Sequence, residues 1–339
     1  MQFLSSNRLA LFLAGFLPVL GCVSLFLSGM ATAAEVGGQG AVSLAAVAEV
    51  AHGAASTGAH EAAAHEAALT PNAPVLFHLG PFHLGPLPVN NSMVLMWVVS
   101  IVIILVARAA TKDLKENPEG LQNFVEWIVE SLRDFLENIL GRALTAQTFW
   151  FFASSFIFIL TANWFGLLPG VGTLGWGTPD GSGALNHISE PLFRGANADL
   201  NLTLAMSVVF LVAWFYWGLR ANGVGGFLLH IFGPRGDAKG FLKLILILVF
   251  LCVGVLELVS IMFRPVSLSF RLYGNVFAGE TLLETMSNLV KALAPVITIP
   301  FYFLELLVGF VQALVFTLLT AVFTLLICDH GDGHADEKH

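Results

Sequence analysis

RPVSLSFRLYGNVFAGE, Arg264 to Glu280, follows an unbroken apolar run, and its reading decides how the C-terminal third of the chain folds. It sets two arginines, an asparagine and a glutamate where one membrane span should end and another begin. If the stretch is an external loop, its arginines are ordinary solvated charges. If residues 244 to 290 form one long tilted helix, the guanidinium groups lie within the membrane and need a purpose. The pattern alone admits both.

The setting is a membrane chain. Of 339 residues, 56% are hydrophobic and 11% charged, with a mean hydropathy of +0.80, whereas soluble domains carry about a quarter charged residues. The net charge of −8 comes mostly from loops and tail, and no nucleic-acid partner is expected. Cys22, Cys252 and Cys328 lie far apart and indicate neither a disulfide framework nor a metal site.

Residues 1–34 have the layout of a signal peptide: Arg8, an apolar run interrupted by Pro18, then the small residues Ala31-Thr32-Ala33-Ala34. The run is also long enough for an uncleaved span. Residues 35–90 read as an extracytoplasmic extension and linker. The part up to residue 75 is rich in Ala, Gly and His with no lysine or arginine, a composition that cannot bury a core. His52, His60 and His65 with Glu61 and Glu66 match no closed metal-site spacing, so no metal is expected. The tandem FHLGP-FHLGP (77–86) is a proline-punctuated, extended connector.

Spans of the required length, about 20 residues for a ~30 Å hydrocarbon core, fall near 92–109, 147–168, 201–219, 244–263 and 293–327, within a membrane domain of residues 91–329. Between the first two, DLKENPEGLQNFVEWIVESLRDFLENILGRAL spaces apolar residues helically with charges between, which predicts an amphipathic surface helix. The fold class is an all-α integral membrane protein whose last two helices form a long, tilted hairpin. Basic residues set the orientation. Arg108, Lys112, Lys115, Arg133 and Arg142 follow span one, and Arg220, Arg235, Lys239 and Lys243 follow span three, while the loop between spans two and three holds only Arg194. The mature N-terminus is therefore expected outside, with the C-terminal tail (330–339) in the cytoplasm. The last apolar segment, about 35 residues or ~52 Å at 1.5 Å per residue, is too long for a perpendicular crossing.

Helical arithmetic favours embedding the opening stretch. Glu257, Arg264 and Arg271 are seven apart and Asn275 follows by four, so all fall near one face, with Ser267 close to it. Glu280 falls on the opposite face from Arg271. Glu305 and Gln312 again share a face. An ionisable group within a span costs about 2.5–3.5 kcal/mol on insertion scales and points to function by default; a structural network, Glu257 pairing Arg264, is the alternative. Pro265 is expected to kink the helix. Buried carboxylates take up and release protons near neutral pH, whereas an arginine cannot deprotonate. A fixed cation between carboxylate-lined paths would act as a gate.

The string RPVSLSFRLYGNVFAGE, with FVQALVFTLLTAVF later and NADLNLTLAMS (197–207) and NGVGGF (222–227) between, resembles subunit a of the rotary, F-type proton-translocating ATP synthases over residues 88 to 328. The resemblance implies a stator beside a ring of c subunits, each with one membrane carboxylate, and two offset half-channels reaching that carboxylate from opposite sides. On it, Arg271 matches the family's essential arginine, Asn275 and Gln312 the polar positions beside it, and Glu257, Glu280 and Glu305 the positions lining the half-channels. Arg264 falls where the family carries a basic residue. It further implies peripheral-stalk b subunits and the remaining synthase as partners, the bacterial inner membrane as location, no cofactor, and no catalysis by this chain alone, which lacks a GxxxxGK[ST] phosphate loop. The chain departs from the family in three respects: Glu280 and Glu305 stand where many members pair glutamate with histidine, Gly166 stands where some carry an acid, and the Ala/His-rich extension has no counterpart. His187 and His230 read as ordinary loop or interface histidines. A secondary transporter or ion channel using the same carboxylates is the rival reading, but it would show internal repeats, and none is found; a membrane scaffold held by polar contacts is a second.

Overall fold

The computed structural model describes residues 75–82, 85–112, 115, 117–168, 171, 175–176, 190–191, 193–232, 241–289 and 294–328. The signal-peptide segment, the extension to residue 74, His187 and the polar tail lie outside the described residues, as does the His230 side chain.

Helices fill the described membrane domain: α1 (Asn91–Thr111), α2 (Leu121–Gly166), α3 (Leu200–Phe232), α4 (Phe241–Leu289) and α5 (Ala294–Cys328). Each contains a stretch long and apolar enough to cross a membrane, giving the five expected spans. Ahead of α1, the FHLGP repeat does more than connect. It lies in an antiparallel pair, β1 (Val75–Phe82) with β2 (Gly85–Asn90), in which Val75 faces Asn90 and Phe82 faces Gly85. A two-residue ribbon, β3 (Gly175–Trp176) against β4 (Glu190–Pro191), lies between α2 and α3.

The opening stretch is helix. α4 runs 49 residues, through Pro265 and the whole of Arg264–Glu280, so the loop reading fails. At 1.5 Å per residue it is ~74 Å long, more than twice a hydrocarbon core. α5 has 35 residues. Both exceed a perpendicular crossing, as a tilted hairpin requires.

Two glycines bend the other long helices. Gly141 (φ 74°) divides α2 and Gly223 (φ 68°) divides α3, and positive φ at both is open to glycine at no steric cost. The segment of α2 before Gly141 is the amphipathic helix. Val129, Leu132, Leu136 and Leu140 turn inward at helical spacing, while Arg133 and Glu137 pair at 2.8 Å on the exposed side. The segment after it enters the core.

Packing places α3 mainly against α4, and α2 mainly against α5. Phe151, Phe152, Phe158, Phe210 and Leu272 are fully buried, and Trp217 meets Phe151 edge-on at 5.4 Å, an arrangement favoured by the ring quadrupoles. Between apolar helices the hydrophobic effect does not drive association, so close packing and hydrogen bonds must. They do so through the backbone of α5. Trp164 donates to Leu306 O (3.2 Å), Asn163 to Gly309 O (3.0 Å), Trp214 to Phe323 O (2.9 Å) and Asn222 to Ile327 O (2.7 Å). The buried hydroxyls of Thr317, Thr320 and Thr324 are satisfied by their own helix four residues back.

Asp199 fixes the start of α3. Its carboxylate accepts from the Asn201 N–H (2.9 Å), from Ser92 Oγ (2.7 Å) and from Asn90 Nδ2 (3.4 Å), joining α3 to the start of α1. All of Asn90, Ser92 and Asp199 are buried. Asp199→Ala strands those donors, a loss on the order of 2–4 kcal/mol. A lower thermal midpoint of the detergent-solubilised protein, partly restored by Asp199→Asn, is the expected outcome.

Candidate functional site

α2, the segment before α3, α4 and α5 meet around one narrow cavity. Asn163 and Gly166 come from α2, Gly195 from the segment Phe193–Asp199, Asn275 and Glu280 from α4, and Glu305, Gly309 and Gln312 from α5. About 10 Å³ is open to the centre of a water molecule, on the order of one water site.

The expected residues divide into three groups. Glu280, Glu305, Asn275 and Gln312 are brought together at the cavity; Asn275 Nδ2 donates to Gln312 Oε1 at 2.7 Å, tying α4 to α5. Glu305 and Gln312 are buried, as their shared helical face predicts. Arg264 is turned inward, its guanidinium 4.5 Å from the Phe323 ring centroid and 5.7 Å from that of Trp214. The structural alternative paired it with Glu257, which lies within electrostatic reach. Its direct contacts are instead cation–π, which hold a guanidinium where no carboxylate is close enough. Arg271 and Ser267 are exposed. Among the described residues, Arg271 makes no ion pair, hydrogen bond or ring contact.

Its helix explains why. The apolar stretch of α4 is the least buried of the five, 17% against 39–61% for the others. Ile261, Leu268, Ser269 and Leu272 face inward. Val255, Leu256, Val259, Met262 and Phe263 are exposed. Arg271 lies among the outward residues, so a large part of this helix is left uncovered by the other described residues.

Two residues of the site escaped the sequence reading. Arg194 is 6% exposed, with its Nε 3.9 Å from Glu280 Oε2 and its guanidinium 5.9 Å from the Phe277 centroid. The signal was present: it is the lone basic residue between spans two and three, on the side where basic residues are sparse. Asn197 was missed too; it donates to Asn163 Oδ1 at 2.6 Å and holds the cavity wall together.

Glycines make the room. A Cβ on Gly195 would overlap Glu280 Oε1, and one on Gly279 would overlap the Glu305 carboxylate. Gly166, where the resemblance led to an acid in some members, would place a Cβ 3.1 Å from the Gly195 backbone. This wall of the cavity is a close backbone approach, and a side chain there would require the Gly195 backbone to give by a few tenths of an ångström.

A family model for the ATP synthase A chain matches residues 93–324, which include every expected site residue. The chain belongs to that family. It is 34% identical to the ATP synthase subunit a of Gloeobacter violaceus over 246 residues, 72% of this chain and 87% of that protein. It is 33% identical to the chloroplastic ATP synthase subunit a of Stigeoclonium helveticum over 227 residues, 67% and 80% of the two chains. This member of the ATP synthase A chain family is thus a multi-pass membrane subunit of the ATP synthase complex.

The glycine contacts predict a separation of function from assembly. The ends of glutamate side chains yield readily, so Gly195→Ala and Gly279→Ala displace a carboxylate while the helices stay packed. ATP-driven proton pumping by membrane vesicles should fall several-fold with unchanged subunit content on blots.

Proposed function

We propose that this chain is the non-catalytic stator of the membrane sector, with Arg271 as the gate between two half-channels and its outward face of α4 set against the c-ring. The observation carrying this reading is the exposed Arg271 on the least buried spanning helix, without a partner among the described residues. A guanidinium stays charged at any physiological pH, and leaving it in lipid costs about 2.5–3.5 kcal/mol. A carboxylate supplied by a neighbouring subunit removes that cost. Because the guanidinium cannot take part in a relay, a proton can pass only on the moving carboxylate.

Glu280, Glu305, Asn275 and Gln312 line the path on one side of this gate, and Glu257 belongs to the other. With the basic loops after α1 and α3 in the cytoplasm, the Arg194–Glu280 cavity opens toward the outer face, the N-terminus is extracytoplasmic and the C-terminus cytoplasmic, in a bacterial inner membrane. Peripheral-stalk b subunits hold the stator in place. Each charge crossing 100 mV releases about 2.3 kcal/mol, so several protons must cross for each ATP made, as a multi-subunit ring allows.

The test is ATP-driven acidification of inverted membrane vesicles with synthase content checked by blotting. Arg271→Ala and Arg271→Lys should both assemble and both lose pumping, since lysine replaces the planar fork by a point charge that can release its proton. Normal pumping by Arg271→Ala removes the gate and this function with it.

A further inference from the structure

We propose that Arg194 is the fixed counter-charge of the cavity, a positioning residue that favours the ionised form of Glu280 over that of Glu305, so that proton exchange falls mainly on Glu305. The inference rests on the reading of this cavity as part of the proton path.

Three observations carry it. First, Arg194 is itself buried, and it is clamped: Phe277, one turn before Glu280, lies under its guanidinium, and Tyr273 stacks on Phe277 at 5.6 Å. Its guanidinium thus has a ring contact besides the carboxylate. Second, Glu280 is held from two directions, by Arg194 and by the Gly195 backbone N–H, while Gly195 leaves no other room for its Oε1. Third, the contact is open. At 3.9 Å it is an ion pair without a hydrogen bond, and Arg194 Nε and Nη2 and Glu280 Oε2 have no hydrogen-bond partner among the described residues.

The charge balance then separates the two glutamates. The ionisable groups facing Glu280 are Arg194 from the segment before α3, Tyr273 and Glu284 from α4, and Glu305 from α5, with Asp199 reaching Tyr273; α2 contributes the neutral Asn163. Two carboxylates sharing a low-dielectric cavity cannot both be ionised without a cation nearby. Arg194 lies directly against Glu280, and among the described residues the contacts of Glu305 include no cation. Where Arg194⁺ offsets Glu280⁻, Glu305 gains a proton arriving from the outer side and loses it to the next acceptor along the path, with the smaller change at the neighbouring pair.

ATP synthesis by the assembled enzyme in inverted vesicles, driven by an imposed gradient, tests this when interior pH is varied and subunit content is blotted. Arg194→Gln makes two carboxylates share a proton, so its pH profile on the interior side should move to the alkaline by roughly one to three units. Arg194→Lys should assemble normally and lie nearer wild type. Arg194→Gln combined with Glu280→Gln again leaves Glu305 as the lone carboxylate of the pair and should recover activity that Arg194→Gln loses. An unshifted Arg194→Gln profile, or a double variant no better than Arg194→Gln, overturns the proposal. If Arg194→Gln does not assemble, the lysine and double variants decide it by the same readings. Loss of pumping in Arg271→Ala alongside an unshifted Arg194→Gln profile would refute this role alone, whereas normal pumping in Arg271→Ala would remove the proton-path reading beneath it.

Discussion

A guanidinium that cannot shed its proton must find water, a counter-charge or an aromatic face, and this bundle meets that demand in different ways. Arg264 is covered by the rings of Trp214 and Phe323. Arg194 lies between a ring and a carboxylate. Arg271 is answered by nothing among the described residues. The first two cations are internal to the fold, so they can be fixed while the protein assembles. The third is a demand directed outward, and the sparse burial of α4 follows the same direction.

Much of this was legible in the sequence because membrane burial leaves a coarse, strong signal. Hydropathy and length located the five spans, and the seven-residue spacing of Glu305 and Gln312 correctly joined them on one face of α5. The same arithmetic was less informative for α4. Arg264 and Arg271 share a helical face by spacing, yet one is turned into α3 and α5 and the other faces outward, because the packing partners change along 49 residues. Periodicity gives the angle of a side chain about its own axis and says nothing of which neighbour is there at that height. Arg194 illustrates the complementary failure. It lies outside any periodic segment, so only its oddity as a basic residue in that loop could have marked it.

Glycine patterns were likewise unreadable in advance. Gly195 and Gly279 have no unusual backbone angle to announce them; their role is the absence of a Cβ where a carboxylate from another element must fit. Such a requirement exists only in the folded state. Gly166 shows the same logic in reverse, since its close approach to Gly195 is what remains where a side chain would otherwise occupy the wall.

The docking of α5 has an evolutionary consequence. The side chains of Asn163, Trp164, Trp214 and Asn222 bind its carbonyl oxygens, which every amino acid supplies. The height and rotation of this helix are therefore recorded on its neighbours. Its outward residues, including Phe303, Leu304, Leu307 and Val311, carry little of the information that positions it. That surface is free to drift with whatever lies against it, lipid or protein, while the buried polar groups a turn away keep their register.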